Sequence, residues 1–192
     1  NKEDRIFSSK RSLGLLGTGV PMGLQYSITA IGSVILQAAV NVLGSVYVAS
    51  IATGAKINIF FATPFDALGT TMATYGGQNV GAGKTERLNS GLFSTCIIGF
   101  IYSAFAFVVM FFGSEALTNL FMSKNEAPEV IALVCKNVRL FLLVNSACYV
   151  LLVLVNVVRF MIQGMGFSTV AVFAGAFELV GRGVIGIVFI PM

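Results

Sequence analysis

The stretch LGLLGTGVPMGLQYSITAIGSVILQAAVNVLGSVYVASIATGA, residues 13–55, contains no charged residue over 43 positions. About 20 helical residues cross the hydrocarbon core of a bilayer, so this length predicts two membrane-spanning helices rather than one. The turn between them is expected at residues 41–45, where Asn, Gly and Ser stand close together. The bilayer is therefore the first determinant of the fold.

The composition of the whole chain also indicates a membrane protein. Of its 192 residues, 56% are hydrophobic and only 10% are charged, whereas soluble domains carry about 25% charged residues. Spanning segments must satisfy their backbone groups internally, which favours helices. The sequence predicts an all-α membrane protein with five spans, near residues 15–40, 46–78, 92–112, 140–162 and 168–191. Residues 1–12 are expected to form a cytoplasmic linker or interfacial segment.

The basic residues predict the orientation of the chain. An N-terminus on the cytoplasmic side places seven Lys and Arg residues inside and three outside, as the positive-inside rule prefers. We therefore expect a multi-pass protein of the cell (plasma or inner) membrane, with the N-terminus of this segment in the cytoplasm.

Several chemical functions are excluded by what the chain contains. It has no His, and its three Cys residues are far apart, which argues against imidazole catalysis and metal sites. The string GGQNVGAGKTER, residues 76–87, fails the phosphate-loop pattern because the spacing from Gly77 to Gly83 is one residue too long. The basic residues are scattered rather than clustered. We predict no enzyme activity, no cofactor and no nucleic-acid partner.

The second predicted span carries polar residues on one helical face. Lys56 lies ten residues into this span, which predicts a position near the bilayer midplane, and Thr63 and Thr70 share its face. A charge at that depth costs at least about 2.5 kcal/mol, so we expect this face to line a wet cavity. Pro64 predicts a kink. Asp66 either neutralises Lys56 or a neighbouring helix, or binds a cation in that cavity.

The fourth predicted span has a second polar stripe. Its members follow helical steps of four and three: Asn145, Tyr149, Leu152, Asn156, Arg159 and Gln163. Such a stripe faces either a water-filled cavity or a helix that hydrogen-bonds to it. Arg159 is interpreted as an interfacial anchor.

The first and last spans add fewer candidates. Gln25 and Gln37 are the polar residues of the first span that can reach a cavity, and Pro21 predicts a bend. Glu178 and Arg182 are spaced for an intrahelical ion pair. The candidate substrate-binding residues are Gln25, Gln37, Lys56, Thr63, Thr70, Asn145, Tyr149 and Asn156.

Five strings resemble the second half of multidrug and toxic compound extrusion (MATE) transporters. They are GVPMGLQ (19–25), NVLGSVYVA (41–49), TPFDALGTTMATYGGQNVGAGK (63–84), IQGMG (162–166) and ELVGR (178–182). Their order and spacing match over nearly the whole chain.

This resemblance implies a protein of two six-helix lobes, of which residues 13–192 would form most of the C-terminal lobe, ending before its last helix. It implies export of organic, often cationic, compounds, driven by sodium or protons. The implied partners are a small organic substrate, the lipid bilayer and the missing N-terminal lobe. Some relatives carry acidic residues near the positions of Ile28 or Thr29 and of Leu152, which places coupling in the missing lobe instead.

Two other functions remain open at this point. A lipid-linked oligosaccharide flippase of the same superfamily would need a more strongly basic cavity to hold pyrophosphate. A non-transporting membrane subunit or gene fragment would need no cavity at all.

Overall fold

The computed structural model describes residues 9–122 and 127–184, apart from the side chains of residues 11, 171 and 182. Every regular element in these ranges is a helix, which confirms the predicted all-α membrane bundle. In chain order the helices are α1 (Ser9–Asn41), α2 (Ser45–Gly81), α3 (Arg87–Phe121), α4 (Pro128–Ala147), α5 (Tyr149–Gly164) and α6 (Ser168–Val184).

The first four helices are long and apolar enough to cross a membrane, whereas α5 and α6 are shorter apolar helices. The predicted fourth span, 140–162, falls across the boundary between α4 and α5. At that boundary Cys148 keeps helical backbone angles (φ −82°, ψ −5°), and its N–H bonds to the Val144 carbonyl at 3.3 Å. Residues 128–164 therefore form one nearly continuous helical unit, which we call the α4–α5 rod.

The helices extend beyond the predicted spans. α3 covers 87–121 rather than 92–112, and α2 has 37 residues, which corresponds to about 55 Å against a hydrocarbon core of about 30 Å. Their ends therefore project out of the core. The predicted turn at 41–45 is confirmed between α1 and α2, where Gly44 takes φ 100°. The last predicted span begins at Ser168, and residues 185–191 of it lie outside the described residues.

Two arginines mark the two hydrophobic boundaries of the rod. The segment between Arg139 and Arg159, residues 140–158, is uncharged. Their separation of 20 residues corresponds to about 30 Å, the thickness of the hydrocarbon core. We call the two ends of the bundle the Arg139 end and the Arg159 end.

The core forms where α2 packs in parallel against the rod. Ser50 contacts Asn137 near one end, and Asp66 contacts Asn156 near the other, so the same order holds along both helices. The buried face of α2 includes Ile57, Phe61, Phe65 and Met72. α3 and α4 complete this core, whereas α1 packs mainly on α6. The α1–α6 pair therefore forms a separate side of the bundle.

The proline of α2 is accommodated within the helix. Pro64 has no N–H to donate to the Phe60 carbonyl. The Tyr102 hydroxyl of α3 donates instead to the adjacent Phe61 carbonyl at 3.2 Å. α2 continues from Ser45 to Gly81 across this position.

Close packing at the Arg159 end depends on Gly164. A Cβ at this position would overlap the backbone carbonyl of Ala73 on α2. We expect Gly164→Ala to reduce the free energy of unfolding by about 1–3 kcal/mol because two backbones must separate. The matched control is Gly81→Ala, whose Cβ meets only open space. Thermal unfolding of the detergent-solubilised protein tests this, and equal transitions for the two variants would contradict it.

Candidate functional site

A cavity of about 840 Å³ lies between the α1–α6 pair, α2 and the α4–α5 rod. This volume falls within the range of small-molecule sites, about 300–1,000 Å³. Its polar and charged lining residues are Gln25, Tyr26, Thr29, Asn58, Asp66, Asn145, Cys148, Tyr149, Asn156, Arg159 and Glu178. All six described helices except α3 contribute to the lining, and the cavity is partly open, since its lining residues Tyr26, Ile59 and Leu151 are 57%, 65% and 63% exposed.

Tyr149 fixes one side of the cavity. Its side chain is only 2% exposed, and its ring packs edge-on against Phe65 with centroids 4.9 Å apart. The hydroxyl donates a hydrogen bond of 2.8 Å to Oδ1 of Asn58 on α2. Because a buried hydroxyl without a partner is costly, this bond fixes both the tyrosine and the amide at the cavity wall.

Asp66 is joined to Arg159 through an amide. Nδ2 of Asn156 donates to Oδ1 of Asp66 at 3.0 Å, and Oδ1 of Asn156 accepts from Nη2 of Arg159 at 3.2 Å. The guanidinium lies over the Phe160 ring at 5.4 Å. Asp66 itself is exposed to the cavity, so its carboxylate can also bind a cation there.

An amide pair lies at the Arg159 end of the cavity. Nε2 of Gln163 donates to Oε1 of Gln25 at 2.6 Å, and the two side chains are 6% and 3% exposed. This bond joins α5 to α1 across residues that are 138 positions apart. It therefore joins α1 to the same side of α5 that contacts α2 through Tyr149 and Asn156.

The described charges of the cavity sum to one negative charge. Asp66 and Glu178 are acidic, and Arg159 is the one basic lining residue. Within the described part of the chain, no cluster of His, Cys, Asp and Glu can hold a metal ion. The predicted partner of Glu178 is Arg182, whose side chain lies outside the described residues. The carboxylate of Asp66, which is exposed to the cavity, is the group that can bind a cation there.

The structure separates the candidate residues into two groups. Five of them line the cavity: Gln25, Asp66, Asn145, Tyr149 and Asn156. Asn145 also donates to the Phe141 carbonyl of its own helix at 2.8 Å. The predicted stripe of the rod thus both faces a cavity and hydrogen-bonds to neighbouring helices, so the two interpretations left open by the sequence hold together.

The remaining candidates lie outside this cavity. Lys56, Thr63 and Thr70 are exposed on the face of α2 next to Asp66, and Thr70 lies about one helical turn beyond that aspartate. The hydroxyls donate to carbonyls of their own helix, Thr63 to Ile59 at 2.8 Å and Thr70 to Ala67 at 3.0 Å. Gln37 donates to Asn41 at 3.0 Å near the end of α1.

The register of α2 against the rod bears on the predicted depth of Lys56. From the contacts of Ser50 with Asn137 and of Gly54 with Phe141, Lys56 lies level with about residue 143. That is four residues, about 6 Å, from Arg139 toward the middle of the rod. The midplane position of Lys56 stays a prediction, and a lysine nearer the Arg139 end can extend its ammonium to the interface.

Sequence reasoning missed Asn58 as a lining residue. The signal was its spacing, because Asn58, Ala62 and Asp66 follow one another at intervals of four residues. All three line the cavity. The side of α2 that carries these three residues adjoins its buried face. Lys56 lies on the side of α2 opposite to that buried face.

An apolar groove of about 370 Å³ adjoins the cavity. It runs between α5 and α6 and shares three lining residues with the cavity, namely Val155, Arg159 and Ala174. Its other lining residues are Leu154, Val158, Ile162 and Val170. A ligand with a polar and an apolar part can therefore occupy both.

The amide pair generates a stability prediction. Gln163→Leu leaves the buried amide of Gln25 without a partner, at an expected cost of about 1–3 kcal/mol. The double variant Gln25→Leu/Gln163→Leu should recover most of this loss because both polar groups are removed. Gln37→Leu is the exposed control. Thermal unfolding measures all three, and additive losses in the double variant would contradict the pairing.

Comparison with known proteins identifies one family. The model of one protein family, described as MatE, matches residues 21–190, which includes every cavity-lining residue. No curated protein and no solved structure matches the chain.

Proposed function

Because the chain belongs to the MatE family of membrane transporters, we propose that it forms one lobe of a secondary active antiporter. Its substrates would be organic, often cationic, compounds exported from the cytoplasm by alternating access. Sodium or protons would drive the export. The observation that carries this proposal is the cavity between α1, α2, α5 and α6, in which Asp66 is exposed within the bundle.

The chemistry of the cavity supports a cationic, amphiphilic substrate. The carboxylate of Asp66 is exposed to it, and an isolated cation inside a membrane protein needs such a partner. Amide and hydroxyl groups on the same wall can exchange their hydrogen bonds for bonds to a ligand. The adjoining groove offers apolar surface to the rest of the substrate.

Asp66 is the proposed coupling residue. Some relatives carry acidic residues near the positions of Ile28 or Thr29 and of Leu152, and Thr29 and Leu152 line the same cavity as Asp66. A carboxylate from α2 therefore stands in the cavity where those relatives have one from other helices. An ion bound there changes the conformational balance only by its difference in affinity between the two states.

The exposed face of α2 next to Asp66 supports a contact with the N-terminal lobe that the family implies. Lys56, Thr63 and Thr70 are exposed there, and a lysine facing only hydrocarbon is costly. We propose that this side faces the first lobe across the cleft through which substrate passes. The predicted substrate-binding role of these three residues then belongs to that cleft.

The flippase alternative receives less support. A cavity for a pyrophosphate group should carry an excess of positive charge, whereas the described lining has one arginine and two acids. The antiporter is therefore the function that we propose.

The carboxylate of Asp66 is the direct test. Asp66→Asn retains an oxygen that accepts from Asn156 but removes the charge. We expect ion-driven export to fall at least about tenfold, which corresponds to ~1.4 kcal/mol of lost cation binding. The measurement is transport of a fluorescent organic cation by the full-length protein in vesicles, under sodium gradients and pH gradients separately.

The matched control for this test is Thr71→Val. Thr71 lies one and a half turns along α2, and its hydroxyl donates to the Ala67 carbonyl at 2.8 Å. It should keep normal export. Normal ion-dependent export by Asp66→Asn would exclude this residue from coupling.

A further inference from the structure

A second cleft, of about 600 Å³, lies between α3 and α4 at the Arg139 end of the bundle. α3 contributes Glu115 and Asn119, and the first three turns of α4 contribute the remaining lining residues, among them Cys135, Lys136 and Arg139. None of its lining residues lines the central cavity. The proposed transport function does not use this cleft.

The cleft carries an excess of positive charge. Lys136 and Arg139 are three residues apart, so they project from the same side of α4. Glu115 is the one acid among the lining residues. No ion pair joins it to either cation within the described ranges. The guanidinium of Arg139 lies over the Phe111 ring at 6.0 Å, a contact that leaves its N–H groups available to an anion.

The depth of the cleft places these charges at the membrane surface. Arg139 marks the boundary of the hydrocarbon core, and Lys136 lies about 4.5 Å further toward water. The adjoining surface on the core side is apolar, with Phe112 81% exposed and Leu140 66% exposed. A ligand at this position meets positive charge at one end and hydrocarbon-facing surface at the other.

We propose that this cleft binds the phosphate headgroup of an anionic phospholipid from the leaflet at the Arg139 end. Lys136 and Arg139 would hold the phosphate, and the acyl chains would lie along Leu140 and Phe112. A net excess of one positive charge favours a lipid with net negative charge over a zwitterionic one. Basic clefts between membrane helices recognise lipid headgroups in this way.

The experiment uses the full-length protein in detergent. Short-chain phosphatidylglycerol is titrated while the thermal unfolding midpoint reports binding, and phosphatidylcholine and soluble glycerol phosphate are titrated in parallel. Over the concentration range in which phosphatidylglycerol binds, only this lipid should raise the thermal unfolding midpoint. Equal effects of phosphatidylcholine would overturn the proposed charge recognition, and equal effects of glycerol phosphate would overturn the proposed lipid.

Charge variants provide the residue-level test. Each basic residue near a membrane surface contributes about 1 kcal/mol, or roughly fivefold in affinity, so Lys136→Gln/Arg139→Gln should weaken phosphatidylglycerol binding by roughly 25-fold. Lys84→Gln/Arg87→Gln, which removes the same charge at the Arg159 end, should leave it unchanged.

A variant with the opposite effect separates binding from misfolding. Glu115→Gln removes the acid of the cleft and should strengthen phosphatidylglycerol binding severalfold. Unchanged binding in both Glu115→Gln and Lys136→Gln/Arg139→Gln would refute the site.

Discussion

Buried polar groups inside a membrane protein must find partners, and in this chain the partners of one helix organise the bundle. Tyr149, Asn156 and Gln163 follow one another at intervals of seven residues on α5, which places them on one side. The first two hydrogen-bond to α2 and the third to α1. These three bonds join both α1 and α2 to the same side of α5, and the central cavity lies between these helices and α6.

The same bonds connect the fold to the proposed chemistry. Five of the six side chains in these bonds also line the cavity, so binding of an ion or a substrate there would change the bonds between helices. Asp66 shows this most clearly, because its partner Asn156 is also bonded to Arg159. A cation at Asp66 would compete with the arginine for the charge of the carboxylate. In the proposed function, this amide would couple ion binding to helix packing.

The sequence predicted which side of the rod faces the cavity better than it predicted the corresponding side of α2. Long polar side chains on an otherwise apolar helix must reach a partner or water, so the stripe of the rod follows from spacing alone. Threonines are different, because Thr63 and Thr70 satisfy their hydroxyls within their own helix. The face of α2 that carries these two threonines therefore needs no adjacent cavity. Which side of α2 packs, and how far α2 extends beyond the core, depend on tertiary contacts that hydropathy does not contain.

The central claim is that the cavity contains water and receives the substrate, and a native residue can report both. Cys148 lines the cavity and is exposed. With Cys96 and Cys135 replaced by Ala, a membrane-impermeant, hydrophilic thiol reagent applied to both faces of membranes containing the full-length protein should label Cys148. An exported organic cation should slow that labelling. Labelling by lipophilic reagents alone, or at a rate that substrate does not change, would contradict the account.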